Sequence, residues 1–166
     1  MAVLLYHGSS KSGLAELEPR AVSVRDVTEG PVIFATPNQA IASMFLVPIR
    51  QHSGRFNGMP YFVAIKADFD MRDLGGSIYT IAAEGFTFDR DKGLGELEWV
   101  SASPVPVLSE TQYSSGLTCM LEHGVQVYLV DKSTFVKIDT AEDHGLAVLQ
   151  RCLSENTLRN INPQKF

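Results

Sequence analysis

The apolar residues of this chain come in short runs, and that feature most limits what it can fold into. Segments 3–6, 32–35, 61–67, 77–82 and 125–130 are each four to seven residues long. They are rich in β-branched and aromatic side chains and are bounded by glycine, proline or charged turns, the pattern of strands rather than helices. Helical spacing is confined to a few places. Ala40, Ile41, Met44 and Phe45 fall on one helical face after Thr36-Pro37, where threonine suits a cap and proline a first helical position. Residues 117–123 are followed by Gly124, a helix stop. Residues 140–153 form the strongest predicted helix, opening at Thr140 with Asp143 in capping-box spacing and carrying Leu146, Leu149, Cys152 and Leu153 as an apolar stripe. Segment 12–17 reads as a short helix limited by Pro19. Segment 51–60 reads as a polar loop, 68–76 as a turn region, 86–88 as a short strand and 89–95 as a charged, glycine-bearing loop. Residues 97–100 read as a strand that Pro104 and Pro106 push toward a sheet edge. The tail after Asn156 is expected to fray. Many short strands with few small helices predict the α+β class, a mixed, mainly antiparallel sheet with small flanking helices.

A length of 166 residues fits a single domain spanning 1–166, and such a chain buries about two-thirds of its unfolded surface without a disulfide or metal. A net charge of −5 with no lysine or arginine run disfavours a broad electrostatic grip on a nucleic-acid backbone, although a local basic patch is compatible with it. Cys119 and Cys152 belong to no CxxC and to no Cys/His cluster with metal-ligand spacing, so they read as small buried hydrophobes and no metal site is predicted. No run approaches the roughly 20 apolar residues that cross a bilayer. The first residues lack the cationic segment of a signal peptide, so a cytoplasmic location is expected; export without a cleaved signal would look the same.

Three segments could carry chemistry. In Tyr6-His7-Gly8-Ser9, a histidine at a strand end is followed by a glycine with no side chain to block close approach. In residues 34–45, Phe34 and Phe45 stand eleven positions apart, one on a strand and one on a helix, where two rings could sandwich a flat ligand ring. In Gly95-Glu96-Leu97-Glu98-Trp99-Val100, the two carboxylates share one face if the segment is a strand, with Leu97 and Trp99 on the other. Each has an ordinary reading when taken singly: a hydrogen-bonded histidine, two core aromatics, a solvated acidic strand end.

Taken together and in this order, the segments resemble the diphtheria-toxin and poly(ADP-ribose) polymerase class of ADP-ribosyltransferases. Tyr6-His7-Gly8-Ser9 is similar to that class's first-strand His-Gly motif. Residues 34–45 are similar to its motif of two aromatics separated by ten residues, including the Thr36-Pro37-Asn38 interior. Glu98-Trp99-Val100 is similar to the start of the strand that carries the catalytic glutamate. The resemblance covers residues 3–107; the C-terminal strand and helix expected within 115–156 add no motif. It implies an ADP-ribosyltransferase-like split sheet and NAD as substrate. It further implies Glu98 and His7 as catalytic residues, with His7, Gly8, Ser9, Phe34 and Phe45 binding NAD. Glu96 is a possible helper that orients the acceptor, as in the Glu-x-Glu pair of the arginine-modifying toxins. The implied reaction moves ADP-ribose to an unidentified acceptor, or to water, and releases nicotinamide. Both aromatic positions are phenylalanine where the class mostly has tyrosine.

Other readings stand beside this one. The rifamycin-modifying ADP-ribosyltransferases also begin with Tyr-His-Gly. The RNA 2′-phosphotransferases share the fold but use basic residues that Arg20, Arg25, Arg50 and Arg55 do not match in pattern. A degenerate module that binds a nucleotide or a protein, and a purely structural domain, complete the set. His52, in a loop, His123, at a helix end, and His144, within a helix, are expected to be structural or exposed.

Overall fold

The computed structural model describes residues 2–143, 145–155 and 161. The chain opens with β1 (Leu4–Ser9), β2 (Glu16–Leu17) and β3 (Ala21–Val22), then a 3₁₀ turn (Val27–Glu29) and β4 (Pro31–Ala35). Next come α1 (Gln39–Ser43), β5 (His52–Phe56), β6 (Met59–Ile65), α2 (Lys66–Arg72), β7 (Gly76–Ala82) and β8 (Thr87–Phe88). A second 3₁₀ turn (Gly95–Leu97) leads into β9 (Trp99–Ser101) and β10 (Val105–Pro106). β11 (Ser109–Tyr113), α3 (Gly116–Glu122), β12 (Gln126–Val130), α4 (Lys132–Asp139) and α5 (Leu146–Ser154) complete the described elements.

The architecture is α+β with mainly antiparallel pairing. β7 stands between β1 and β11, and a second antiparallel sheet runs β3-β4-β9-β8. The two are stitched where Tyr6 and Thr36 exchange backbone hydrogen bonds of 2.8 and 3.0 Å. A third sheet, β12-β6-β5, contains a parallel pair, β12 with β6. Leu5, Leu17, Ile33, Ala35, Tyr79 and Ile81 fill the space beneath the first two sheets. Phe62, Ala64, Phe69, Met120 and Val127 join the third sheet to the helices around it. Among the described residues, no helix is long and apolar enough to cross a membrane.

Several local expectations are corrected, each by a contact that outweighs local propensity. Segment 12–17 is not a helix: Glu16–Leu17 pairs with β10, which buries Leu17. The α1 cap is Asn38 rather than Thr36; its Oδ1 accepts from the Ala40 and Ile41 amides at 2.9 and 3.4 Å. Thr36 is spent on the bridge to Tyr6, and Phe45 lies beyond the helix end, exposed, while Ile41 and Met44 are buried. Segment 51–60 is not a loop but a hairpin. Asn57 and Gly58 turn it with φ of 53° and 74°, the left-handed pair of a type I′ turn. His52 therefore lies on β5. Residues 68–76 include most of α2, not only a turn.

The strand expected at 97–100 starts at Trp99 and lies between β4 and β8, not at an edge. The proline constraint falls instead on β10, which pairs on one side only. In the C-terminal part, Thr140 ends α4 rather than opening a helix, and α5 starts at Leu146, with Asp143 accepting from the Gly145 and Ala147 amides. The helix expected at 117–123 and the strand at 125–130 are present as α3 and β12, while the single helix expected at 140–153 is replaced by α4 and α5. His144 and most of the tail after Asn156 fall outside the described residues. Cys119 is buried and Cys152 half-buried. Burial pushes the Cys119 thiol up to about 12, the behaviour of an inert core residue.

Candidate functional site

The strand β1 carries His7 into a cavity of about 710 Å³. This lies within the usual range of ligand pockets, about 300–1,000 Å³. The imidazole Nδ1 is 2.6 Å from the Phe34 carbonyl oxygen. A carbonyl can only accept, so Nδ1 is the protonated nitrogen, and in the neutral ring Nε2 is left as an acceptor. Burial lowers the pKa of His7, partly opposed by that hydrogen bond, and so favours the neutral ring. One hydrogen bond thus ties β1 to β4 and fixes the tautomer presented to the cleft.

Gly8 is required here for packing. A Cβ at this position would lie 1.9 Å from the Ala42 carbonyl oxygen, well inside contact distance. The bare glycine lets α1 press against β1, which brings Phe45 over the cavity. Ser9 also lines the cavity, and its Oγ accepts from the Lys11 amide at 3.1 Å to shape the turn that follows.

Phe34 and Phe45 both line the cavity, but not as the jaws of an open sandwich. Their ring centroids are 4.9 Å apart with planes at 49°. An intervening ring needs about twice the carbon contact distance of roughly 3.5–4 Å, so the rings pack on each other. Phe45 is 39% exposed and follows the end of a short helix, so it is the ring with space to turn.

Glu98 lines the same cavity. It is not on the face of a strand, as the alternation predicts, but caps the 3₁₀ turn that precedes β9. The turn separates the two glutamates. Glu96 points outward to Arg90 at 2.7 Å, 60% exposed and away from the cavity. Glu98 Oε2 accepts from the Leu94 amide at 2.9 Å. Its Oε1 has no hydrogen-bond partner among the described residues. Gly93 makes this fold-back possible: its φ is +53°, and a Cβ there would stand 2.0 Å from Glu98 Oε2. Arg25, which belongs to none of the sequence motifs, donates from Nη1 to the Glu98 carbonyl at 3.0 Å. Its only advance signal is the Arg25/Glu29 spacing of four, common on any turn or helix.

Leu14, Leu17, Val22, Val32 and Leu94 make most of the remaining wall apolar, while Lys11 and Arg20 supply its positive charge and Glu16 and Glu18 add negative charge. The site therefore offers a neutral imidazole acceptor, two aromatic faces, a tethered carboxylate and two cations around one space. Compared with models of known families, with curated proteins and with solved structures, the chain matches none.

Proposed function

We propose that the chain cleaves the nicotinamide–ribose bond of NAD⁺ and transfers ADP-ribose to an acceptor, on an ADP-ribosyltransferase-like arrangement of two antiparallel sheets opening into one cleft. One observation carries this reading. His7, Gly8, Ser9, Phe34, Phe45 and Glu98, drawn from distant parts of the chain, line a single cavity.

In this reading the backbone of Gly8 bonds the carboxamide of nicotinamide, and a turned Phe45 together with Phe34 stacks on its ring. Neutral His7 accepts from a ribose hydroxyl through Nε2, and Ser9 lies beside it. Lys11 stands as a counter-charge for the diphosphate, and Arg20 becomes one by exchanging its Glu18 partner, 2.8 Å away, for the phosphates. Glu98 accepts from the 2′-hydroxyl of the nicotinamide ribose through Oε1 and faces the positive charge that grows on the sugar as nicotinamide departs, the demand that all glycoside cleavage makes. A fixed carboxylate in an apolar cleft meets that charge without the reorganisation water would need. Glu96, turned out toward Arg90, is not given the acceptor-orienting role.

The test is nicotinamide release from NAD⁺ by the purified chain. Glu98→Gln is expected to lower the rate by about 100-fold or more, the usual cost of losing such electrostatic stabilisation, while NAD⁺ affinity stays within a few-fold. Equal turnover by both proteins removes Glu98 from the chemistry. A second reading, a module that binds the nucleotide without cleaving it, is favoured by the contact of Phe34 with Phe45 and by the Leu94 amide on Glu98 Oε2. Saturable NAD⁺ binding with no nicotinamide release selects it.

A further inference from the structure

Arg25 is almost wholly inaccessible: its side chain is 2% exposed, against 68% for Arg20 and 77% for Arg50. A charge withdrawn from water to that degree is costly unless it is paired and hydrogen-bonded. Here every arm of the guanidinium is engaged. Nε and Nη2 donate to the two Glu29 carboxylate oxygens at 3.1 and 2.7 Å, a two-pronged pair. Nη1 reaches away from Glu29 to the Glu98 carbonyl oxygen at 3.0 Å. Glu29 closes the 3₁₀ turn at Val27–Glu29, whose cap, Asp26, accepts from the Thr28 amide at 3.0 Å.

The same segment grips the other end of the loop that carries Glu98. Lys92 Nζ donates to Asp26 Oδ2 at 2.5 Å. A Cβ built on Gly93 would lie 3.1 Å from the Arg25 Cβ as well as against Glu98 Oε2, so the loop backbone rests directly on Arg25. Residues 92–98 are therefore clamped at both ends by residues 25–29. Within that clamp, the Leu94 amide holds one carboxylate oxygen of Glu98.

We infer that Arg25 is a positioning residue that sets the Glu98 carboxylate in the cleft by fixing the Glu98 backbone through the Arg25–Glu29 pair; the effect on turnover rests on the transferase reading of this site. The planar fork is what the task needs, because one group must bond a carboxylate on one side and a carbonyl on the other. A lysine ammonium keeps the charge but lacks that span.

The test uses the full chain and two readouts. The first is amide hydrogen exchange, followed by NMR, at Leu94, with the amides of β1 and β7 as controls. The second is steady-state NAD⁺ cleavage. Arg25→Lys is expected to speed Leu94 exchange by about tenfold or more without changing the control amides, the mark of local rather than global opening. It is also expected to lower kcat by about 100-fold, the scale of a 1 Å misplacement, with KM for NAD⁺ nearly unchanged. Should Arg25→Lys fail to fold, Glu29→Gln carries the same test, since Glu29 is more exposed, at 24%. Unchanged Leu94 exchange in the folded variant overturns the assignment, whatever the activity. Faster local exchange with a wild-type chain that never cleaves NAD⁺ overturns the transferase reading and leaves Arg25 as the residue that positions Glu98.

Discussion

His7 reaches the cleft from the interior of β1, a strand paired with β7 from Leu4 to Ser9 and bridged to Thr36 on its other side. Glu98 reaches it from the end of a 3₁₀ turn, held by one amide at its carboxylate and one arginine at its carbonyl. On the first wall the backbone ladder sets geometry, and side chains fill in around it. On the second, a few side-chain contacts set geometry, and the backbone follows them. Substitutions on the first wall should register mainly as lost stability. Those on the second should register mainly as lost chemistry, because loops on a rigid frame open locally at small cost.

Gly8→Ala tests the first wall and carries the largest expected effect on stability. The added methyl meets the Ala42 carbonyl oxygen, a backbone atom that cannot rotate aside as a side chain would. The expected loss is about 3 kcal/mol, the upper end for overpacking, read as a lower urea midpoint with an unchanged slope. A loss under about 1 kcal/mol would mean that α1 slides freely on β1 and that the wall is not rigid. Gly93→Ala tests the second wall. A left-handed φ costs a non-glycine residue about 1–2 kcal/mol, but the new methyl also displaces Glu98 Oε2 from the Leu94 amide. NAD⁺ cleavage should therefore fall far more than stability. A variant as unstable as Gly8→Ala, or one with full activity, breaks the contrast.

The same division governs what could be read from the sequence. Strands β1, β4, β7 and β12 announce themselves by apolar runs, and α3 by the Gly124 stop, because burial and local propensity agree there. β6 is announced by its apolar run, but β5 and the turn into β6 are hidden by polar residues, although Asn57-Gly58 is a strong turn signal. α2 lacks a side-chain cap altogether, and β2 exists only because β10 is there to pair with it. At the site, His7, Gly8, Ser9, Phe34, Phe45 and Glu98 were legible as motif residues. The outward turn of Glu96 was not, since a 3₁₀ turn replaces the strand on which the alternation depends. Nor was the clamp by Arg25, which joins chain segments 73 positions apart, nor the direct contact of Phe34 with Phe45, which depends on where the end of α1 sets the second ring.

The smallest effect expected on the strand wall is a slope with pH. Burial lowers the pKa of His7 below its ordinary value of 6.5. Between 6.5 and that lowered value the unfolded chain binds a proton at His7 that the folded chain refuses. Stability must therefore fall as pH drops through this window and be fully retained above it. His7→Asn keeps a donor for the Phe34 carbonyl and removes the titration. Urea unfolding of both proteins from neutral pH downward isolates His7, because the remaining histidines and the carboxylates are common to the two and cancel in the difference. The wild type is expected to lose stability relative to His7→Asn as the pH falls below about 6.5. Parallel curves would mean that His7 takes up its proton as readily in the cleft as in water. An imidazolium donates from both nitrogens, so the acceptor role given to Nε2 would then be lost below about pH 6.5 instead of persisting into acid.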